Sequence, residues 1–345
     1  MPRTRLIRRR VRRPLLALLA AAALLLGAGL APAGAAAAAP SPSAPNEGGS
    51  KQLRAALEAA AKGHIEAKAR LDNSKRRQAA LAVQYKQIEV RLVELTAQVG
   101  EVAAQSYRVG RLTPVSMLLA SSGPNDFLQR ANELDVMAQR DSKRLHDLHE
   151  AKTQAAQAKL AIDTEVREQA KQLAILAKKK RDAEIALAKV SSGAGSGFSG
   201  GSSSAKPAPR NPDGSWPSES CSVNDPTTSG CITPRTLHML QQAQAAGYKR
   251  YVSCYRSGGD GEHPKGRACD FSAASGGFEN VSATGGDKAY GDSLASWAKN
   301  NASRLGIMYV IWYRQIWMPN TGWRAYSGGG SPAADHTNHV HISMY

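Results

Sequence analysis

Apolar residues recur at alternating steps of four and three through much of the region between residues 51 and 190. In its first half the pattern is unbroken, and passes through Leu81, Tyr85, Ile88, Leu92, Leu95, Val99 and Val102. In its second half it is looser, with lysines or a glutamine at some positions, and passes through Leu145, Leu148, Ala155, Ile162, Val166, Leu173, Leu176, Ala183 and Leu187. This spacing is typical of a coiled-coil seam. The pattern therefore predicts two long helices.

Helix-breaking residues interrupt the pattern between residues 107 and 129. Gly110, Pro114, Gly123 and Pro124 surround the apolar stretch at 115–119, so the chain can turn back there. The simplest product is an antiparallel coiled-coil hairpin over residues 51–190 with its tip at 107–129. Pairing between two chains, and hence self-association, is the alternative. The apolar tip indicates either an exposed partner site or a short helix that folds back onto the hairpin.

The composition changes after residue 190. Serine and glycine, and then proline, dominate residues 191–213, which predicts a linker that is flexible at first and then stiffer. Residues 214–345 contain patterns typical of two helices, Thr233 to Gly247 and Asp292 to Gly306, and of strands at 251–255, 308–313 and 339–343. We therefore predict an α+β C-terminal domain, with a small, mostly antiparallel sheet and flanking helices, preceded by a long α-helical antiparallel coiled coil.

The first 39 residues have the order of a secretory signal peptide. Arginines precede an apolar run from Pro14 to Leu30, and small residues follow it. An uncleaved membrane anchor is the alternative, but the run is shorter than the roughly 20 apolar residues that a span needs. Residues 40–50, rich in alanine, proline and serine, are typical of a disordered spacer. We expect a secreted protein, extracellular or in a cell wall, after removal of the signal peptide.

The formal net charge is +17, but seven of the arginines lie in the predicted signal peptide. Residues 51–206 hold 26 Lys and Arg against 17 Asp and Glu, whereas residues 207–345 hold 12 against 10. The excess positive charge therefore belongs mainly to the predicted coiled coil. A nucleic-acid partner does not fit an exported chain. Anionic wall polymers or lipid head groups suit such a surface, and an ordinary solvated helix face is the alternative.

All four cysteines lie in the last third of the chain. In an exported protein an even number of cysteines is expected to pair, and three connectivities are open. The pairs Cys221–Cys231 and Cys254–Cys269 are favoured because each closes a short loop within one local unit. Zinc ligation by cysteine is the alternative.

Two clusters in the C-terminal region hold four of the eight histidines: residues 262–270 and residues 335–341. A catalytic zinc site needs three protein ligands, and it prefers imidazole nitrogens with a carboxylate. His263 and Asp270 can supply two ligands. His339 and His341 are two residues apart on a predicted strand and project from the same face, so one or both can turn toward the metal.

At these residues a family resemblance is evident. Tyr255-Arg-Ser257, Glu262-His-Pro-Lys-Gly-Arg-Ala-Cys-Asp270 and His339-Val-His341 resemble the motif series of the LAS zinc peptidases, which include lysostaphin-type enzymes, D-alanyl-D-alanine metallopeptidases and the hedgehog domain. The last 130 or so residues are also similar to the ARB-like C-terminal domain of actinobacterial cell-wall proteins. The coiled coil resembles, in layout, the arms of division-associated peptidoglycan hydrolases and amidase activators.

The resemblance implies a role for each matching residue. Zinc would be bound by His263, Asp270 and His341, and His339 would handle protons or stabilise the transition state. Arg256 would hold a substrate carboxylate or the developing oxyanion. It further implies peptidoglycan as substrate, and a coiled-coil arm for docking or autoinhibition with a membrane or division-complex partner at its tip.

One position departs from the carboxypeptidase pattern. Those enzymes place a glutamate base three residues before the last zinc histidine, and here that position is Asn338. The endopeptidase branch, which uses a His-x-His pair, is therefore the better analogue, with Asp335 or His336 as a substitute base or an orienting partner. Trp312 and Trp317 are candidates for substrate binding, although core packing is the alternative.

The sequence thus predicts a zinc metallopeptidase that acts on cell-wall peptides. A noncatalytic wall scaffold or activator, which recruits other hydrolases through the coiled coil, is the alternative.

Overall fold

A computed structural model describes residues 50–110, 113–190 and 193–345. It contains a long antiparallel helical hairpin followed by an α+β domain, which confirms the predicted fold class. The predicted signal peptide and all but the last residue of the predicted spacer lie outside the described residues. Within the described ranges, no helix combines the length and the apolar character that crossing a membrane requires.

Two long helices form the hairpin. Helix α1 spans Lys51–Val109 and helix α3 spans Pro124–Ala188, with the short helix α2, Thr113–Leu119, between them. Ser50 caps α1, because its hydroxyl accepts a hydrogen bond from the Leu53 amide. A proline begins α3, where a missing N–H costs no hydrogen bond.

The seam of the hairpin follows the predicted positions on α1 but not all of those on α3. Every predicted seam residue of α1 is buried or half-buried. On α3, Leu145, Val166 and Leu173 were predicted to face α1, but they are 58%, 47% and 54% exposed. One series of buried and half-buried positions on α3 instead keeps a strict step of four and three, through Arg144, Leu148, Ala151, Ala155, Ala158, Ile162, Glu165, Gln169, Gln172, Leu176, Lys179, Ala183 and Ala186. Because five of these residues are charged or carry an amide, apolar spacing alone misplaces the register.

A polar layer crosses the seam near its middle. Glu165 accepts hydrogen bonds from the Ser74 hydroxyl at 2.7 Å and from Arg77 Nε at 2.7 Å. Gln169 donates to Gln78 Oε1 at 2.7 Å. Ser74 is fully buried, so its hydroxyl depends on this partner. Sliding one helix along the other would break these contacts together, so the layer helps to hold the observed register of the hairpin.

The tip of the hairpin exposes large apolar side chains. Helix α2 is held against α3, where Arg130 donates to the Met117 carbonyl at 3.0 Å. Even so, Met117 is 51% exposed, Leu119 is 80% exposed and Tyr107 is 90% exposed. The predicted short helix is therefore present, and it leaves an apolar surface at the tip.

The C-terminal domain is built on a six-stranded antiparallel sheet. Its elements are β1 Val223–Asn224, β2 Cys231–Ile232, α4 Pro234–Ala245, β3 Val252–Ser253, β4 Ala268–Ser272, α5 Gly285–Leu305, β5 Ile307–Trp312, β6 Gln315–Met318, β7 Gly322–Ala325 and β8 His339–Met344. The strand order is β3-β4-β8-β5-β6-β7, and β1 and β2 form a separate pair. The three predicted strands correspond to β3, β5 and β8.

The start of α4 agrees with the sequence prediction, whereas the start of α5 does not. Thr233 caps α4 as predicted, and its hydroxyl accepts a hydrogen bond from the Thr236 amide at 3.2 Å. Helix α5 begins at Gly285, so the predicted start at Asp292 lies two turns too late. The Asp292 carboxylate instead accepts a hydrogen bond from Trp312 Nε1 at 2.9 Å, which ties α5 to the sheet.

The two faces of the sheet are covered by different parts of the chain. Alternate strand residues, including Phe271, Val340 and Ile342, pack against α4 and α5 in one core. On the opposite face, Tyr309, Ile311 and Ile316 pack in a second core against the hairpin base, which we define as residues 51–66 of α1 and 179–188 of α3. The opposite face is called the site-bearing face below, because the predicted metal ligands lie on it.

The segment predicted as a flexible linker, residues 191–213, runs along the domain from residue 193 onward. The Gly195 amide donates to the Trp323 carbonyl at 3.1 Å, and the Ala208 amide donates to the Arg304 carbonyl at 2.9 Å. A Cβ on Gly197, whose φ is +72°, would lie 2.6 Å from the Trp323 ring. Glycine here permits close packing rather than free movement.

Two disulfides cross-link the C-terminal domain. The structure pairs Cys221 with Cys231 and Cys254 with Cys269, the connectivity that the sequence favoured. Both pairs fit an oxidising, extracellular environment. The second pair joins the chain just after β3 to β4, next to the segment that carries the predicted metal ligands.

A buried carboxylate organises the turn that follows β1. Asp225 is 5% exposed, and it accepts hydrogen bonds from Thr227, Thr228 and the Tyr255 amide. Burial on its own would raise the pKa of Asp225, but these hydrogen bonds outweigh it and lower the pKa. The turn is thereby fixed to the chain that leaves β3.

Replacing Asp225 with asparagine should lower the free energy of unfolding by about 1–3 kcal/mol at neutral pH, because one acceptor of a buried hydrogen-bond set is lost. The wild-type advantage is present above the unfolded-state pKa of about 4 and disappears as the pH falls through the lower folded-state pKa. Urea unfolding can be followed by tryptophan fluorescence, since all five tryptophans lie at or beyond Trp216. Equal stability of wild type and Asp225→Asn at pH 7 would contradict this role, and Asp163→Asn on exposed α3 is the control.

Candidate metal centre

The three predicted metal ligands converge beside strands β4 and β8. Asp270 on β4 pairs directly with His341 on β8, so the two side chains lie on one face of the sheet. His263 comes from a 3₁₀ turn, His263–Lys265, that precedes β4. Its Nε2 lies 3.1 Å from Asp270 Oδ1, and His341 Nδ1 lies 2.8 Å from the same oxygen. All three ligand atoms lie within 4.8 Å of one another, so the cluster can hold a metal ion.

A glycine shapes the turn that presents His263. Gly266 ends the turn with a φ of +67°, in the left-handed region that favours glycine. A Cβ at this position would also lie 2.6 Å from Cys221 Sγ and 2.8 Å from the Cys231 carbonyl oxygen. Any other residue would push the turn away from β2 and move the first ligand.

Hydrogen bonds orient both ligand imidazoles. His263 Nδ1 is bonded to the Cys254 carbonyl, which can only accept, so this nitrogen carries the proton and Nε2 faces the cluster with its lone pair. His341 Nε2 is bonded to the Ser343 hydroxyl at 2.7 Å, which leaves Nδ1 toward Asp270. Metal-binding histidines commonly have their other nitrogen held in this way.

Burial and mutual contact set the charge of the cluster. Burial on its own would raise the pKa of Asp270, but His263 and His339 nearby, together with hydrogen bonds from His263 and His341, hold it well below its ordinary value. Burial lowers the pKa of His339 to about 4, against the opposing charge of Asp270. At neutral pH the carboxylate is therefore ionised and the His339 ring is neutral, as ligation and proton transfer both require.

His339 lies beside the three ligands and is held by Asn338. Its Nδ1 lies 2.7 Å from Asn338 Oδ1, which accepts the ring proton, and its Nε2 lies 3.6 Å from Asp270 Oδ1. Asn338 is itself fixed, because its amide donates to the Glu279 carbonyl at 2.6 Å. The residue that replaces the expected glutamate therefore positions the neighbouring histidine.

His336 is a fourth buried histidine at this centre. Its ring centroid lies 4.7 Å from that of His339 and 5.6 Å from that of His341, and the residue is 1% exposed. Its Nδ1 donates to the Ala334 carbonyl at 3.0 Å, and its backbone has a φ of +52°. Burial lowers its pKa well below the ordinary value, and the neighbouring rings of His339 and His341 lower it further. Sequence reasoning gave this residue only a secondary place, since no pattern signals the loop geometry.

Asp335 does not join the cluster. Its Oδ1 accepts hydrogen bonds from the amides of Gly328 and Gly330, at 2.9 and 3.2 Å, and its Oδ2 pairs with Arg314 Nε at 3.0 Å. The predicted catalytic residue is therefore occupied in holding a loop. Through that loop it helps to place His336, the next residue.

Arg256 reaches the cluster as predicted by its position in the motif. Its Nη1 lies 3.2 Å from Asp270 Oδ2, and its side chain is 18% exposed. The guanidinium therefore lies at the edge of the cluster. It can balance the charge of Asp270 and contact an anionic group that approaches from solvent.

The two tryptophans predicted to bind substrate lie on the face of the sheet opposite to the metal ligands. Trp312 is fully buried in the core formed with α4 and α5, and Trp317 packs against the same core. Since Ile311 is the residue opposite His341, strand alternation turns the next residue, Trp312, away from the metal ligands. These tryptophans therefore pack away from the metal ligands, on the face covered by α4 and α5, and their contact with substrate stays a prediction.

An ion-pair network borders the first metal ligand. Glu262, which is 1% exposed, accepts hydrogen bonds from Lys265 Nζ at 3.0 Å and from Arg267 Nε at 2.6 Å. Both cations also pair with Glu58 of α1. Burial raises the pKa of Glu262 to about 7 against the opposing charge of Arg267, and nearby Glu58 adds to the rise. The turn that carries His263 is thus tied to the hairpin.

Residues 228–337 match a family model described as VldE, C-terminal domain. The match covers about a third of the chain and includes His263 and Asp270, but it ends before His339 and His341. No curated protein matches the chain. No solved structure matches it either. The chain is therefore similar to the VldE C-terminal domain over this segment, and its chemistry has to be argued from the cluster itself.

Proposed function

We propose that the C-terminal domain is a zinc-dependent hydrolase that cleaves peptide bonds of peptidoglycan, in a secreted protein that acts at the cell wall. The observation that carries this proposal is the convergence of His263, Asp270 and His341, with His339 beside them. The resemblance of these motifs to the LAS zinc peptidases supports the reaction class, and the two disulfides support an extracellular location.

The donor set fits zinc. Two imidazole nitrogens and one carboxylate oxygen are the ligands of many catalytic zinc sites, which keep a further position open. Both imidazoles already have their second nitrogen held by Cys254 and Ser343. When bound here, zinc would supply the Lewis acidity that polarises a peptide carbonyl and activates water near neutral pH.

The chain's own residues then supply binding and proton transfer. His339, held through Nδ1 by Asn338, can take a proton at Nε2 and return it to the leaving amine. Arg256 can stabilise the negative charge that develops on the carbonyl oxygen, or hold a substrate carboxylate. His336 lies against His339 and keeps the ring in place.

The same contacts favour an endopeptidase over a carboxypeptidase. The carboxylate of Asp335 is already bonded to two backbone amides and to Arg314, so it is not placed to act as a base. Asn338 cannot act as one either. His339 is therefore the residue for proton transfer, as in enzymes that use a His-x-His pair.

A second candidate function is a noncatalytic wall scaffold or activator. The exposed apolar side chains at the hairpin tip, Leu119 and Tyr107 above all, favour a partner there, either a membrane or a division complex. The excess positive charge of the hairpin would suit anionic wall polymers. A scaffold would keep its effect on the wall after His263→Ala, whereas the proposed enzyme would lose it.

Zinc content and product analysis test the proposed function. We expect purified protein to bind one zinc ion per chain by elemental analysis, and we expect digestion of sacculi to change the muropeptide profile. The variant His263→Ala should lose both properties, and His146→Ala, an exposed histidine on α3, should lose neither. A metal-free wild type whose products equal those of His263→Ala would overturn the proposal.

A further inference from the structure

The hairpin base packs on the face of the sheet that carries the metal ligands. Asp270, His341, Ile311 and Ile316 are partners across three neighbouring strand pairs, so they form one row on the site-bearing face. In the presence of the hairpin, Asp270 is 2% exposed, and His263 and His341 are each 1% exposed.

Helix α1 packs closely against the side chains beside this row of strand residues. Leu57 of α1 is 3% exposed and belongs to the same core as Tyr309 and Ile311. Tyr309 in turn stacks on His341, with ring centroids 5.7 Å apart and planes at 15°. The gap left between Arg54, Leu57 and the sheet is about 10 Å³, room for a single water molecule and not for a peptide.

Ion pairs hold the same helix to the turn that carries the first ligand. Glu58 lies 2.9 Å from Lys265 Nζ and 2.7 Å from Arg267 Nη2. Arg54 pairs with Asp260 at 3.3 Å. Helix α1 therefore contacts the neighbours of the metal ligands on two sides, Tyr309 and Ile311 beside His341 and the residues on either side of His263.

Helix α3 holds the other end of the hairpin base. The Asn320 amide donates to the Lys179 carbonyl at 3.1 Å, and Arg324 pairs with Glu184 at 3.4 Å. These contacts lie at β6 and β7, away from the ligands. The part of the base that covers the metal centre is consequently α1.

We propose that residues 51–66 of α1 form a lid over the substrate-binding face of the domain, held shut by Glu58, and that a peptide substrate takes the place of the lid. This inference rests on the proposed function, since it assigns the regulation of that site. The lid explains why three residues that could hold a metal ion are each no more than 2% exposed. Weakening the Glu58 contacts, or inserting charge at Leu57, opens the site.

Charge reversal at one position tests the lid in the full-length protein. Glu58→Lys places a cation against Lys265 and Arg267, and Leu57→Glu is a second variant that acts on the apolar contact instead. Glu101→Lys is the matched control, because it makes the same charge change on the same helix at an exposed position far along α1. Tryptophan fluorescence and unfolding midpoints are measured for each variant to check that the domain remains folded.

The first measurement is the accessibility of the buried histidines, which depends on neither metal nor activity. Metal-free protein is treated with diethylpyrocarbonate, and modification of His263 and His341 is followed by mass spectrometry relative to exposed His146. We expect modification at least about 10-fold faster in Glu58→Lys and in Leu57→Glu than in wild type, and an unchanged rate in Glu101→Lys. Equal protection in all four proteins would overturn the lid.

The second measurement is peptide release from sacculi by the zinc-loaded proteins. Faster release by both opened variants supports the lid and the hydrolase together. Exposed histidines without release by any protein would overturn the proposed function while leaving the covering role of α1 established. Peptide release by wild type at the rate of the opened variants would support the proposed hydrolase and overturn the proposed lid.

Discussion

Zinc affinity should fall by more than about 100-fold when His341 is replaced with alanine, because the loss of a direct ligand exceeds the roughly 10–100-fold cost of losing an orienting partner. The remaining pair, His263 and Asp270, would offer one nitrogen and one carboxylate. Peptide release from sacculi should disappear together with the metal. Competition with a chromophoric chelator at fixed pH measures the affinity.

Variants with graded losses of zinc affinity distinguish the loss of a metal ligand from a loss of folding. Ser343→Ala removes only the partner of His341 Nε2, so its zinc affinity should fall by about 10–100-fold. If His341→Ala and Ser343→Ala bind zinc as tightly as wild type while the tryptophan fluorescence is unchanged, the cluster is not the metal site. Asp270→Asn should behave like His341→Ala, because it removes the only carboxylate among the three ligands.

Replacing His339 with alanine should lower kcat by about 10²–10⁴-fold while zinc stays bound, because loss of general acid and base catalysis has that size. The residue lies beside the ligands and is not needed for the three-ligand set. The measurement pairs the zinc content of each preparation with the rate of peptide release from sacculi. This split between metal and activity distinguishes His339 from His341.

Asn338→Ala provides the companion variant. It leaves the His339 ring in place but removes the oxygen that holds Nδ1, so the expected loss of kcat is smaller than that of His339→Ala. A zinc content that falls in parallel with activity in His339→Ala would show that His339 is a ligand, and the assigned role would then be wrong. Comparison in the opened Glu58→Lys background keeps both rates measurable.

Local signals in the sequence predicted much of this molecule. The cap at Thr233, the seam of α1 and the cysteine pairs each depend on residues close together in the chain, and the structure contains all of them. The motif around His263 and Asp270 was also sufficient to select two residues of the cluster that could hold a metal ion. Such features can be predicted from the sequence because residues close together in the chain have few alternative arrangements.

Features that depend on how distant segments align with one another could not be predicted from the sequence. Trp312 follows Ile311, and only the pairing of β5 with β8 decides which of the two shares a face with His341. On α3, Leu145 is apolar and yet exposed because its neighbour Arg144 occupies the inward position. The packing of the hairpin base over the metal centre joins residues some two hundred positions apart, and no spacing pattern encodes it.

The polar layer in the hairpin has a consequence at the other end of the helix. Ser74 and Arg77 fix α1 against Glu165, and Glu58 lies sixteen residues before Ser74, a distance of about 24 Å along a helix. A helix that slid by one heptad would carry Glu58 about 10 Å from its two cations. Inserting or deleting a single residue between these points would rotate Leu57 off the strands, so the proposed lid requires the present spacing along this stretch of α1.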